Sequence, residues 1–196
     1  MKKQIEIKSF YYGFPVFLAS TVEPGSQAPN VAPLSSSLSL GDRIIIGVNK
    51  TSKTSDNLLA GSDVVINVPD YRLWEEIEQM GRLTGTQALP ESKAKQGVLY
   101  CADKTGIVGM HLEPSHTIAP PRVRECPIQA ECKTREITDK GAFILAELEI
   151  RHIWAEETLL NAEDKLDSLK WHPLIYKFRE YDTTGKALGF NCKYGK

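Results

Sequence analysis

Two short β-branched runs, at 43–48 (Arg-Ile-Ile-Ile-Gly-Val) and 63–68 (Asp-Val-Val-Ile-Asn-Val), bracket a polar stretch at 49–57 (Asn-Lys-Thr-Ser-Lys-Thr-Ser-Asp-Asn). Runs of this length and composition predict strands. Leu58-Leu59-Ala60-Gly61 then predicts a short helical tail, with glycine at its C-terminal stop. An earlier strand is expected over 16–21, entered through Tyr11-Tyr12-Gly13-Phe14-Pro15 and followed by a turn at Glu23-Pro24-Gly25-Ser26. Residues 30–40 read as a further strand that Pro33 keeps from being central and fully paired. Its serines suggest one face turned toward something polar, either water at a sheet edge or a ligand.

From Cys126 onward the pattern alternates. Ile128, Ala130, Cys132 and Thr134 point one way and Gln129, Glu131, Lys133 and Arg135 the other, which predicts a half-buried antiparallel strand. Thr138-Asp139-Lys140-Gly141 is the hairpin turn, and Ala142, Ile144, Ala146, Leu148 and Ile150 line the inner face of the return strand. Cys132 is thereby a small core hydrophobe, and Cys126 opens that strand. Before this hairpin, Asp70 caps a helix whose Leu73, Trp74, Ile77 and Met80 form a packing stripe that ends at Gly81 or Gly85. Residues 84–122 are irregular, and His111 and His116 within them lack the ligand spacing of a zinc site. The aromatic tail at 169–181 is expected to serve the core, a ligand or a second subunit.

Composition narrows the class without choosing a chemistry. With 196 residues, 41% hydrophobic and 25% charged, the chain reads as one globular domain over 1–196. A net charge of −1 gives no basic surface for nucleic acid or an anionic membrane. The N-terminal residues lack the apolar core of a signal peptide, no run approaches a membrane span, and the four cysteines form no Cys-x-x-Cys pair. Reduced thiols in the cytoplasm are the expectation.

The polar stretch is the candidate for chemistry. A hydroxyl-rich turn entering a helix presents free N–H groups that favour an anion. Ser52, Thr54 and Ser55 add hydroxyls, and Lys50 and Lys53 add positive charge. A single phosphate suits it better than a triphosphate, because the Gly-x-x-x-x-Gly-Lys framework is absent. Two plainer roles stand beside this one: Ser52 or Thr51 as a helix cap, and the lysines as a solvated face. No Gly-x-Gly-x-x-Gly, Gly-x-Ser-x-Gly or His-Glu-x-x-His motif occurs. A phosphate-binding turn on a β-rich scaffold without a catalytic side chain points to a cofactor that brings its own reactivity.

Taken in order, Asn30-Val31-Ala32-Pro33-Leu34-Ser35, Ser52-Lys53-Thr54-Ser55-Asp56-Asn57-Leu58 and Glu125-Cys126-Pro127 resemble the flavin reductase-like, FMN-binding split-barrel family, in particular its flavoredoxin-like branch. The resemblance runs from Tyr12 to Tyr176. It implies a mainly β fold: a six-stranded antiparallel Greek-key barrel with peripheral helices, usually a homodimer with FMN near the subunit interface. It also implies that Asn30, Val31, Ala32, Pro33, Ser35, Ser36 and Ser37 run beside the flavin ring and ribityl chain. Ser52, Lys53 and Thr54 would hold the phosphate, and Asn57 would brace their turn. The implied activity is an oxidoreductase passing electrons through FMN, from NAD(P)H or a redox partner. Two departures are visible. The lysine of the turn is displaced by one position from the family's common Lys-Asp-Thr, and Asp139-Lys140-Gly141 lacks the histidine that many reductases carry before the return strand. Both leave FMN binding intact but weaken the case for direct use of a nicotinamide. A flavoredoxin-type electron carrier and a non-enzymatic FMN-binding module are the alternatives.

Overall fold

The computed structural model describes residues 1–7 and 9–189; Cys192 lies outside the described residues. The chain opens with β1 (Tyr12–Pro15), β2 (Phe17–Val22), β3 (Pro29–Leu34), β4 (Ser37–Leu40) and β5 (Arg43–Asn49), then α1 (Lys53–Leu59) and β6 (Val64–Val68). A 3-10 turn at Tyr71–Leu73 leads into α2 (Trp74–Gly81). Short pieces follow: β7 (Leu83–Thr84), α3 (Glu91–Ala94), β8 (Leu99–Tyr100), α4 (Lys104–Ile107), β9 (Leu112–Glu113) and β10 (Arg122–Val123). The long hairpin of β11 (Ile128–Asp139) and β12 (Phe143–Ala155) precedes β13 (Ile175–Lys177) and β14 (Glu180–Asp182).

Seven strands form one sheet in the order β3-β2-β6-β11-β12-β5-β4, every pair antiparallel. The two end strands are halves of one chain segment, interrupted only at Ser35 and Ser36. That segment pairs with β2 through its first half and with β5 through its second, so the sheet closes on itself. Counted by segments the barrel has the six strands expected. The seventh arises because the chain bends as it steps from one neighbour to the other. Gly47 permits the crossing: a Cβ there would lie 3.3 Å from Ser36 Cβ, and its N–H donates to the Ser36 carbonyl at 2.9 Å.

The barrel is filled from all sides, with Ile46, Val64, Cys132, Ile144, Ala146 and Leu148 fully buried. Each large aliphatic side chain removed from water contributes about 1.5–3 kcal/mol. A second cluster joins α2 to the barrel through Leu18, Val31, Ile77, Met80 and Leu174. An eight-residue helix is marginal alone, so this packing is what holds α2. Trp74 is an exception to the expected stripe, being 43% exposed. It sits one residue past Leu73, about 100° around the helix from the Leu73-Ile77-Met80 line.

Two further expectations need correction, and a third is narrowed. Ala142 is exposed, because β12 starts one residue after it. β11 is half-buried only in its second half: Gln129 and Glu131 are covered, because residues 114–122 lie across them. A bulge between Thr134 and Glu136 then shifts the phase, and Ile137 packs against the core. The aromatic tail serves the core: β13 and β14 form a separate sheet with β1, and Tyr176 and Tyr181 pack on the α2 cluster. No helix among the described residues is long and apolar enough to cross a membrane.

Candidate functional site

The turn before α1 is built from its own polar groups. Asn49 Oδ1 accepts from the Thr51 N–H at 2.9 Å and the Thr51 hydroxyl at 2.8 Å. Ser52, in extended backbone geometry, donates its hydroxyl to the Asn49 carbonyl at 2.7 Å and accepts from the Ser55 N–H at 3.2 Å. The capping role weighed for Ser52 is therefore present. Leu58, 1% exposed, anchors the helix in the barrel core, and Gly61 leaves it at φ +100°. Asn57 is buried and donates to Thr21 Oγ1 at 3.1 Å, which ties α1 to β2. Lys50 turns away to Asp139, 2.6 Å distant at the β11–β12 hairpin.

Along β3 this turn borders a cavity of ≈ 260 Å³. Asn30, Ala32 and Pro33 form one wall; Ser52, Lys53 and Thr54 form another; Leu83, Thr84, Gly85, Lys93 and Lys104 close it. Three lysines line it and no carboxylate does. Six of the residues singled out in the sequence thus meet in one place. The other five lie around it. Val31 is buried in the α2 cluster and Asn57 is buried behind α1. Ser35 lines an adjoining cavity of ≈ 360 Å³ with Tyr176 and Arg179. Ser36 and Ser37 face a groove of ≈ 900 Å³ bordered by Leu38, Phe143 and Leu145, where the Tyr11 and Ser36 hydroxyls lie 2.5 Å apart.

Polar groups of the cavity keep hydrogen-bonding capacity that the described residues do not use. Asn30 Nδ2 donates to Thr54 Oγ1 at 3.1 Å, and its Oδ1 is buried with no donor. Because Thr54 accepts from Asn30, its own hydroxyl proton is left for a further acceptor. Lys93 donates a hydrogen bond to the Thr51 carbonyl at 2.6 Å, and burial lowers its pKa while Asp56 opposes the shift. Lys104 is 5% exposed, and burial pushes its ammonium down to about 8; Cys101 favours the charge and Lys93 opposes it. Nothing in the sequence pattern marked Lys93 or Lys104, because both lie in the irregular stretch. The one usable signal was Asp103, whose carboxylate caps α4 by accepting from the Gly106 N–H at 2.8 Å.

On the far side of Gly85 the polarity reverses. A second cavity of ≈ 460 Å³ shares Asn30, Lys53 and Gly85 with the first but carries Glu23 and Asp56. Lys53 is held at this boundary by Glu23, Nζ to Oε1 2.5 Å. Gly85 is tightly enclosed: a Cβ would lie 3.0 Å from Asn30 Oδ1 and 3.2 Å from Lys53 Cγ, so either side chain would have to shift to admit one. The two histidines stand apart from both cavities: His111 pairs with Glu125 at 2.7 Å, and His116 stacks on Trp154 at 4.4 Å.

The donor set fits a flavin mononucleotide. Its phosphate needs cations and hydroxyl protons, which the lysines and Thr54 offer, and its ribityl hydroxyls are donors of the kind Asn30 Oδ1 lacks. Comparison with known proteins gives the family. The family model described as "Flavin reductase like domain" matches residues 9–185. The Bacillus subtilis (strain 168) protein YdfE is 36% identical over 190 residues, covering 95% of this chain and 91% of that one. Among solved structures, flavoredoxin of Desulfovibrio vulgaris (Miyazaki F) superposes with a TM-score of 0.83 at 21% identity over 100% of both chains. Flavoredoxin from Methanosarcina acetivorans gives 0.81 at 22%, over 100% of this chain and 98% of that one. Likeness at this identity shows a shared fold.

Proposed function

Because the chain belongs to the flavin reductase-like family, whose members are flavin-related redox proteins, we propose that it binds FMN and works as an oxidoreductase, receiving electrons from NAD(P)H or a redox partner protein. The observation that carries this reading is the β3 cavity: three lysines, no carboxylate among the described residues, the unpartnered Asn30 Oδ1 and a Thr54 hydroxyl with its proton still to give. Asn30, Ala32 and Pro33 would lie along the ligand, with Ser35, Ser36 and Ser37 toward its ring. Lys53 and Thr54 would hold its phosphate beside Ser52, whose hydroxyl builds the turn, while Val31 behind β3 and Asn57 behind α1 support the two walls.

FMN is favoured over FAD by what lies beyond the lysines. A second phosphate would enter the cavity that carries Glu23 and Asp56, where like charges repel it. Bound FMN would supply the redox chemistry, taking up a hydride or single electrons. The chain's part is to orient the ring along β3, neutralise the phosphate and limit access of water. Proposed with this are one domain over 1–196, a cytoplasmic setting in which Cys101, Cys126 and Cys132 stay free thiols, and a homodimer. The dimer is supported by Leu38 (59% exposed) and Phe143 (44%), which border one groove, and by Leu40 (77%) further along β4.

A carrier that does not turn over a nicotinamide is a second reading, supported by Asp139-Lys140-Gly141, where Lys50 pairs with Asp139 and no histidine stands. Visible absorption of the purified protein, before and after FMN, tests the first claim: absence of bound flavin in both would end it. Steady NAD(P)H consumption with an added acceptor separates reductase from carrier, and sedimentation at micromolar concentration tests the dimer.

A further inference from the structure

Trp74 leaves the packing stripe of α2 and faces the aromatic tail. Between them lies a cavity of ≈ 450 Å³ that shares no lining residue with the β3 cavity. Tyr71 and Trp74 line it from the helix side, Tyr181 from β14, and the buried Leu174 forms an apolar floor. Two of the three rings are open to water, Tyr71 at 39% and Trp74 at 43%. Tyr71 stands nearly perpendicular to His172, with ring centroids 6.1 Å apart. The Tyr181 hydroxyl donates to Glu78 at 3.2 Å, and the Trp74 and Tyr181 rings are tilted by 48° at 6.4 Å, so they do not stack on each other. Exposed aromatic surface forfeits burial energy, and gathered in a concavity it marks a place where something binds.

The charge of the lining selects what binds. Glu180 and Asp182 belong to it, and among the described residues no lysine, arginine or histidine does. Asp182 is paired with Lys177, while Glu180 has no ion pair among the described residues. The β3 cavity carries the opposite set, three lysines and no carboxylate. Aromatic faces bear negative potential and attract a cation within about 6 Å of the ring centroid. An anion would be repelled by the rings and the carboxylates together.

We propose that this cavity is a binding site, separate from the β3 cavity, for a small organic cation: an alkylammonium group on a short apolar body. Its volume suits a small molecule, since ligand pockets run from about 300 to 1,000 Å³. The ammonium would lie against Tyr71, Trp74 and Tyr181 with Glu180 at the rim, and the alkyl part would cover Leu174. The site stands or falls independently of the flavin.

The test titrates the full chain by calorimetry, at constant ionic strength, with choline and with 3,3-dimethylbutanol, which has the same shape without the charge. Choline should bind saturably and the neutral alcohol far more weakly. Trp74→Leu should cost about twofold to thirtyfold in choline affinity, the range of one cation–π contact. Glu180→Gln should cost about twofold and reduce the salt dependence. FMN titration of both variants should match the wild type, which separates the two sites. If Trp74→Leu fails to fold, Glu180→Gln and the neutral alcohol carry the test. No saturable choline binding, equal affinity for the alcohol, or unchanged choline affinity in a folded Trp74→Leu would each overturn the proposal. So would a lysine-rich peptide that bound where choline did not, which would assign the cavity to a protein partner.

Discussion

Lys53 reaches across the end of the cavity to Glu23, with Nζ 2.5 Å from Oε1. The ion pair and the hydrogen bond from Lys53 hold the Glu23 carboxyl below the ordinary glutamate range, assisted by the Ser26 hydroxyl at 2.6 Å. The lysine is therefore shared between a carboxylate of its own chain and any phosphate that enters. Glu23→Gln should release it and strengthen FMN binding several-fold, with riboflavin binding unchanged. Paired titrations of the two flavins would show this. A weaker FMN affinity in the variant would mean that Glu23 positions Lys53 and does not compete for it.

Ser52 has both hydrogen-bonding functions of its hydroxyl engaged within the turn. Ser52→Ala should then act on the helix start and cost about 1 kcal/mol of stability, the usual loss for a cap. For a chain of this length that lowers the melting temperature by about 2–4 °C. FMN and riboflavin should weaken together or not at all. A selective loss of FMN would place the hydroxyl on the phosphate.

Glu131 is a buried carboxylate whose protonation should weaken the fold in acid. Burial alone would raise its pKa, but the N–H groups of His116 (2.9 Å) and Thr117 (2.8 Å), the Thr117 hydroxyl (2.6 Å) and the Trp154 indole (3.0 Å) hold it below 4.5. A carboxyl with a depressed folded pKa contributes stability that is present above 4.5 and lost as pH falls through the folded value. Glu131→Gln should cost about 1.5–3 kcal/mol at neutral pH, the scale of hydrogen bonds to a charged group, and should flatten the acid limb. Denaturant melts between pH 3 and pH 7 would reveal it; parallel curves for both proteins would refute it.

Lys104 acts at the other end of the scale. Its folded pKa of about 8 lies below the 10.5 of the free side chain, so between these values the unfolded chain holds more protons. Apo stability should climb as pH rises from 8 toward 10.5. In Lys104→Met the climb should be absent, and the variant should be the more stable apo-protein near pH 7. Chemical denaturation across that range distinguishes the two, and an unchanged slope would contradict the burial of the ammonium.

The barrel was legible because its strands carry strong local signals. The β-branched runs at 43–48 and 63–68 specify strands and the stretch at 138–141 a hairpin turn without help from distant residues, and the alternation after Cys126 gives the inner positions Ile128, Ala130 and Cys132. Pro33 correctly kept β3 at an end of the sheet. What stayed hidden depends on contacts between distant segments. Glu131 reads as a solvent-facing glutamate until residues 116 and 117 fold over it. Lys104 and Lys93 sit in short pieces with no periodicity, and only the packing of α4 on β3 brings Lys104 to the cavity. The turn at 49–57 was visible as a polar feature, but its hydrogen bonds show that much of its polarity builds the turn itself.

β3 hydrogen-bonds to one neighbouring strand only, because its chain segment hands over to β5 after Ser36. An open strand edge is where another chain can add, the first step of edge-to-edge aggregation. Here that edge is blunted by Pro29 and Pro33, which have no N–H to offer, and is flanked by α2 and α4, with Gly81 close enough that a Cβ would touch the Pro33 ring at 3.8 Å. The candidate ligand cavity occupies the same edge. Solubility and ligand recognition thus place their demands on the same few positions, and a substitution at Pro33 or Gly81 would be tested by both at once.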